Sequence, residues 1–179
     1  MPAHYFLPKT KLAFTEIPKT GCTTLKNYLV GLEQDFDQEN PGARAANYLD
    51  MQIHGYRGAG VYRVSKLAFW RKKASRRVLV LRDPYRRVVS AWANKLLYAQ
   101  ADFSIYRKYR DEPFTPKDMA SLKDLNQALE LFLEKLATDP EFLQSDRHWR
   151  PQHTFVQNLE TYDVVLETSN LKALQERLT

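Results

Sequence analysis

Seven consecutive residues, Pro18-Lys19-Thr20-Gly21-Cys22-Thr23-Thr24, stand between a short apolar run ending at Ile17 and a helical stripe beginning at Leu25. Glycine at such a corner lets the backbone curl until successive amide hydrogens point inward, and the N-terminus of the following helix adds partial positive charge. Lys19 supplies a full charge, and Thr23 and Thr24 supply hydroxyl donors. With Thr20, Gly21 and Cys22 completing the turn, this is the chemistry of a phosphate cradle. It is not the ATP-binding loop G-x-x-x-x-G-K-[ST], in which lysine directly precedes the Ser/Thr, nor the dinucleotide pattern G-x-G-x-x-G. A glycine turn ahead of a helix also occurs as a mere connection.

A second anion site follows the run Arg77-Val-Leu-Val-Leu81. Arg82 ends that run, where its planar fork suits bidentate contact with a phosphate. Asp83 followed by Pro84 is a strong helix-start signal. Arg86 and Ser90 are four residues apart and therefore neighbours on one helical face. The plainer reading merely pairs Asp83 with Arg86 or Arg87 at the helix start; Arg86 and Arg87 are read with mixed roles, and Arg82 and Ser90 as the anion ligands. Two such sites at adjacent strand ends suit a nucleotide phosphorylated at two places, such as PAPS (3′-phosphoadenosine 5′-phosphosulfate).

Taken in order, these segments resemble the PAPS-dependent sulfotransferases. Ile17-Pro-Lys-Thr-Gly-Cys-Thr-Thr-Leu25 is similar to their 5′-phosphosulfate loop, and Val80-Leu-Arg-Asp-Pro-Tyr-Arg-Arg-Val-Val-Ser90 to their 3′-phosphate motif. Asp146-Arg-His-Trp-Arg-Pro-Gln152 is similar to a segment on the acceptor side of Golgi-type carbohydrate sulfotransferases, and Tyr162-Asp-Val-Val-Leu-Glu167 to the strand after it. The resemblance implies transfer of a sulfuryl group from PAPS to a hydroxyl, on a carbohydrate, without a metal. Lys19 would neutralise the departing phosphate, while Arg82 and Ser90 would bind the 3′-phosphate. Golgi members carry cysteines just after this acceptor-side segment and an N-terminal anchor, which this chain lacks. It thus looks more like a bacterial relative, either compact or C-terminally truncated.

Sulfuryl transfer, like phosphoryl transfer, is an in-line displacement in which charge builds on the leaving oxygen. The acceptor hydroxyl needs a base, and histidine suits neutral pH. Of His4, His54, His148 and His153, His54 ranks first: His54-Gly55 resembles the His-Gly of the heparan sulfate 2-O-sulfotransferase group. His148 ranks second, and Glu16 beside the first loop is a third candidate. Arg147, Trp149, Arg150 and Gln152 are expected to line a pocket for a glycan, including an anionic one; the alternative for Trp149 is loop packing. The cluster Tyr106-Arg107-Lys108-Tyr109-Arg110 reads as surface.

The elements that must position these residues follow from periodicity. Lys11–Ile17, Arg77–Leu81 and Tyr162–Glu167 read as strands. Helices are expected on the stripes Leu25/Tyr28/Leu29/Leu32, Val88/Val89/Trp92/Ala93/Leu96/Leu97 and Leu122/Leu125/Leu129/Phe132/Leu133/Leu136, with Thr23 or Thr24 capping the first. Residues 34–47 read as loop, and residues 98–116 as an irregular excursion. Alternating strands and helices predict a P-loop-like α/β layered fold with a mainly parallel sheet flanked by helices, in a single domain over 1–179. Ligands in such sheets sit at the carboxyl ends of strands, where both phosphate-sized turns fall.

Charge points the same way. Residues 57–110 carry fifteen Lys/Arg against two acids, whereas residues 111–179 carry seven against thirteen, so the basic block favours an anionic ligand. A single cysteine excludes an internal disulfide and fits a reducing compartment. The expected location is cytoplasmic, with membrane attachment through a segment outside this chain as the alternative. Two other functions compete: a P-loop kinase for a small molecule, against which the displaced lysine counts, and a non-catalytic nucleotide- or polyanion-binding module.

Overall fold

A computed structural model of the chain describes residues 2–8, 10–33, 62–71, 76–98, 104–116, 121–156, 158–170 and 173–178. In chain order the principal elements are β1 (Ala3–Leu7), β2 (Leu12–Glu16), α1 (Cys22–Glu33), β3 (Tyr62–Val64), α2 (Lys66–Arg71), β4 (Arg76–Leu81), α3 (Pro84–Trp92), α4 (Leu122–Thr138), α5 (Pro140–Ser145), β5 (Val164–Glu167) and α6 (Ala173–Leu178). They form two compact units, one of residues 1–82 and 155–179 and one of residues 83–154.

The first unit is an α/β layer built on a five-stranded mixed sheet of order β3-β1-β2-β4-β5. The three strands expected from the sequence, β2, β4 and β5, run parallel, with Thr15 beside Leu79 and Leu81 beside Glu167. Two further strands extend it. β1 pairs antiparallel with β2 across a tight turn in which Lys11 takes a left-handed φ of 52°, and β3 pairs antiparallel with β1. One sheet face, with Tyr5, Leu7, Leu12, Phe14, Val78 and Val80, packs on Leu25 and Leu29 of α1 and Leu174 of α6. Ala13 and Leu79 face the other way onto Phe69, Phe155 and Tyr162.

The parallel strands are fastened at both ends. The Arg77 N–H donates to Asp163 Oδ2 at 2.6 Å, and the Asp163 N–H donates to the Arg77 carbonyl at 2.9 Å. At the carboxyl end, the Thr168 hydroxyl donates to the Leu81 carbonyl at 2.9 Å. The Thr168 bond lies at the end from which residues 17–24 and Arg82 emerge.

The second unit is helical. Asp83 caps α3 by accepting the Arg86 N–H at 2.8 Å, with Pro84 in the first helical position. The helix runs on into a π-type turn, Ala93–Leu97. Trp92 and Leu96 are buried as expected, but Val89 is exposed and Arg87 and Ala91 are buried in its place. Ser121 caps α4, whose Ala128, Phe132 and Leu136 join Tyr109, Phe114, Phe142 and Trp149 in an aromatic core. Among the described residues no helix is long and apolar enough to cross a membrane.

Candidate active site

The first candidate site belongs to the first unit. β2 delivers the chain to Ile17, and residues 18–21 turn it into α1. Lys19 and Gly21 both have left-handed backbone, at φ 69° and 74°. Glycine adopts this at no steric cost, whereas a lysine there costs roughly 1–2 kcal/mol, a strain that functional turns commonly hold. The compensation lies at the base of the loop. The buried Thr20 hydroxyl donates to the Ile17 carbonyl at 2.8 Å, and the Cys22 thiol donates to the same oxygen at 2.7 Å. Burial, reinforced by the charge of Glu16, pushes that thiol above its ordinary pKa, so it stays protonated and donating.

The side chains of Thr20 and Cys22 thus close the loop on itself. The first helical bond runs from the Leu25 N–H to the Gly21 carbonyl at 2.9 Å. Thr23 and Thr24 thus lie inside the first turn of α1 and do not cap it, because the helix starts at Cys22, earlier than the threonines suggested. In a helix that begins there, the N–H groups of the first turn have no intrahelical acceptor. Combined with the curl at Lys19 and Gly21, they form a concave, positively polarised corner that fits a phosphate.

Arg82 leaves the end of β4 beside this corner. Its Nη1 donates to the Lys19 carbonyl at 3.1 Å. The parallel register of β2 and β4 is the cause: with Thr15 level with Leu79, both chains leave the sheet at one edge. The two residues that the sequence assigned to separate anion sites are thus brought into direct contact.

Glu16 is already engaged. Its Oε1 lies 2.8 Å from Lys26 Nζ, and its Oε2 accepts the Tyr5 hydroxyl at 2.9 Å. Both oxygens of its carboxylate are thus engaged within the fold, which counts against its candidacy as the base. His54 lies outside the described residues.

The other candidate residues belong to the second unit. Ser90 is half-buried on α3, and its carbonyl accepts the Ala93 N–H. Arg87, which the sequence left with a mixed role, is 1% exposed and donates from Nη1 to the Arg150 carbonyl at 2.8 Å and from Nη2 to the Arg147 carbonyl at 3.0 Å. It holds the 147–150 turn from beneath. The sequence carries no signal for this role, because both acceptors are backbone carbonyls.

Trp149 is 1% exposed, donates from Nε1 to the Phe142 carbonyl at 2.9 Å, and stacks on Phe142 at 5.4 Å between ring centroids. That corrects its expected place in an acceptor pocket: it packs the core, because a ring enclosed by Tyr109, Phe132 and Phe142 has no face left for a ligand. Arg150 directs its guanidinium to the Gln144 carbonyl through Nε and Nη2. Arg147 is exposed and Gln152 half-buried. The segment read as surface is split, with Tyr106 and Tyr109 buried and Arg107, Lys108 and Arg110 exposed.

His148 is partly buried. Its Nδ1 lies 2.6 Å from Asp146 Oδ1 and 2.9 Å from Tyr106 Oη, and the His148 N–H donates to the same Asp146 oxygen at 2.7 Å. Burial pushes the imidazole below the ordinary histidine pKa against the upward pull of Asp146, and the charges of Lys95 and Arg147 act in the same direction as burial. Burial alone would raise Asp146, but hydrogen bonds from the ring and amide of His148 outweigh it and leave the carboxyl below its ordinary value. The result is an ionised aspartate beside a neutral imidazole, an arrangement able to accept a proton.

Comparison with known proteins gives one match. The model of the sulfotransferase family matches residues 4–179, spanning both units. Searches of the curated proteins and of the solved structures return no match.

Proposed function

The chain belongs to the sulfotransferase family, an assignment that makes it an enzyme of sulfuryl transfer, and on that premise we propose that its donor is PAPS and its acceptor a hydroxyl on a carbohydrate. The observation that carries the donor assignment is the 3.1 Å bond between Arg82 and the Lys19 carbonyl at one edge of the sheet. It supports a single nucleotide with an anionic group at each end, its phosphosulfate on the Lys19 loop and its 3′-phosphate on Arg82. Residues 1–179 act in this reading as one sulfotransferase domain, which the span of the family match supports.

The roles follow from the chemistry of each group. The amides of Thr20 to Thr24 bind and orient the phosphosulfate oxygens, and Lys19 stabilises the negative charge that builds on the departing phosphate. Ser90, the last residue of the 3′-phosphate motif, is assigned to donor binding on the strength of that motif. A histidine takes the proton of the acceptor hydroxyl. His54 is proposed on its sequence context and His148 on its hydrogen bonds. Arg147 and Gln152 are proposed to contact the glycan.

The test is transfer of labelled sulfate from PAPS to a panel of neutral and acidic glycans. The reading predicts labelled product with at least one glycan, lost in Lys19→Ala. Phosphate transfer from ATP with magnesium in the same panel would instead identify a kinase, and donor binding without transfer to any acceptor a binding module.

A further inference from the structure

Lys95, Tyr106, Asp146 and His148 come from three separate stretches of the second unit and meet in one cluster. Lys95 lies in the π-type turn after α3, Tyr106 in the short helical turn Ser104–Tyr109, and the other two just after α5. A carboxylate oxygen 2.6 Å from a ring nitrogen requires a hydrogen between them, so His148 carries its proton on Nδ1. The lone pair of the neutral ring is then on Nε2. With the Nδ1 hydrogen directed at Asp146, the Tyr106 hydroxyl, 2.9 Å from that nitrogen, has no acceptor on it, and the adjacent carboxylate is the acceptor left for its hydrogen. Lys95 Nζ stands 5.4 Å from the centre of the Tyr106 ring.

We propose that Tyr106 is a positioning residue for His148: by sharing the Asp146 carboxylate with the imidazole, it holds the ring with Nδ1 protonated and Nε2 as the proton-accepting atom. This rests on the reading of His148 as a base of the transfer reaction. The physical reason is competition for one carboxylate. An ionised aspartate draws a neighbouring histidine toward imidazolium, whose Nε2 is already protonated and accepts nothing. A second donor on that aspartate weakens the pull. Lys95 and Arg147, the cations facing the pair, oppose a further positive charge, and Tyr109 is the other titratable neighbour of Tyr106.

The experiment is ¹⁵N NMR of the histidine ring in the full chain, titrated from acid to alkaline pH, alongside the pH profile of turnover. In the wild type at pH 7, His148 should show a protonated Nδ1 and an unprotonated Nε2. Tyr106→Phe keeps the ring beside Lys95 and removes only the hydroxyl. Its His148 titration midpoint should move upward, and the acid limb of turnover should move with it. Turnover then falls several-fold at pH 6.5 and recovers at pH 8.5, with KM for the acceptor unchanged. A midpoint unmoved in Tyr106→Phe overturns the proposal. So does a wild-type ring protonated on Nε2 alone, a result that needs no variant to fold. If the midpoint moves but His148→Ala retains full turnover, the positioning stands and the base assignment fails.

Discussion

Arg82 donates a hydrogen bond to the backbone carbonyl of Lys19 at 3.1 Å, joining two strand ends that lie sixty-three residues apart in sequence. The bond exists because β2 and β4 are parallel neighbours, and a lysine carbonyl is turned toward it by the left-handed backbone at that residue. A charged donor to a carbonyl contributes about 1.5–3 kcal/mol, enough to offset the strain of the lysine. In the proposed reading Arg82 therefore both shapes the Lys19 corner and supplies the second anion site.

Arg82→Ala should accordingly weaken binding of the product nucleotide, 3′-phosphoadenosine 5′-phosphate, by about ten- to a hundredfold. Arg82→Lys should recover only part of this, since an ammonium restores the charge without the planar fork. Calorimetric titration of both variants checks the pair. Equal affinity in wild type and Arg82→Ala would remove Arg82 from the site.

Lys19→Ala should behave differently. Charge builds on the leaving phosphate between bound donor and transition state, so turnover should fall by about 10²–10³-fold. Affinity for the product nucleotide should fall much less. A comparison of kcat with the nucleotide Kd separates the two effects.

Arg87→Met keeps the buried stem and deletes the donors to the Arg147 and Arg150 carbonyls. Leaving those oxygens unpaired should cost about 2 kcal/mol, measured as a lower urea midpoint with an unchanged slope. A midpoint equal to that of the wild type would mean that the 147–150 turn does not depend on Arg87.

His4 makes stability depend on pH. It is 4% exposed, contacts Thr15 Oγ1 at 2.9 Å through Nδ1, and packs at a tilt against Phe69 with 4.6 Å between ring centroids, while its Nε2 has no hydrogen-bond partner. Burial, aided by the charge of Lys66, lowers its pKa to about 4. The unfolded chain binds this proton near pH 6.5 and the folded chain only near pH 4, so stability is complete above 6.5 and is lost as pH falls through that window. The loss amounts to about 3 kcal/mol. Thermal melts from pH 7 to pH 4 should show it, and His4→Gln should flatten the slope across that range.

Those same residues show what was legible in the sequence. Val78, Leu79 and Val80 form an uninterrupted apolar run, and only a strand buried on both faces requires one, so β4 was plain. Asp83-Pro84 announced α3, since local chemistry decides helix starts. β1 was not legible: Ala3–Leu7 is five residues long, and its turn to β2 puts Lys11, with no glycine, in the left-handed region. Trp149 suits a sugar pocket or a core equally well by its side chain, and only the closing of Tyr109, Phe132 and Phe142 around it decides. Arg87 was hidden for the opposite reason: its two acceptors are backbone carbonyls sixty residues away, and carbonyls carry no sequence signature.

The most direct test of the account is a calorimetric titration of the intact chain with 3′-phosphoadenosine 5′-phosphate, set beside adenosine 5′-phosphate and ATP with magnesium. Binding of one molecule per chain is predicted, markedly weaker when the 3′-phosphate is missing and weaker again in Arg82→Ala. Affinity indifferent to the 3′-phosphate, or greater for ATP with magnesium, would contradict the shared-nucleotide reading of Lys19 and Arg82.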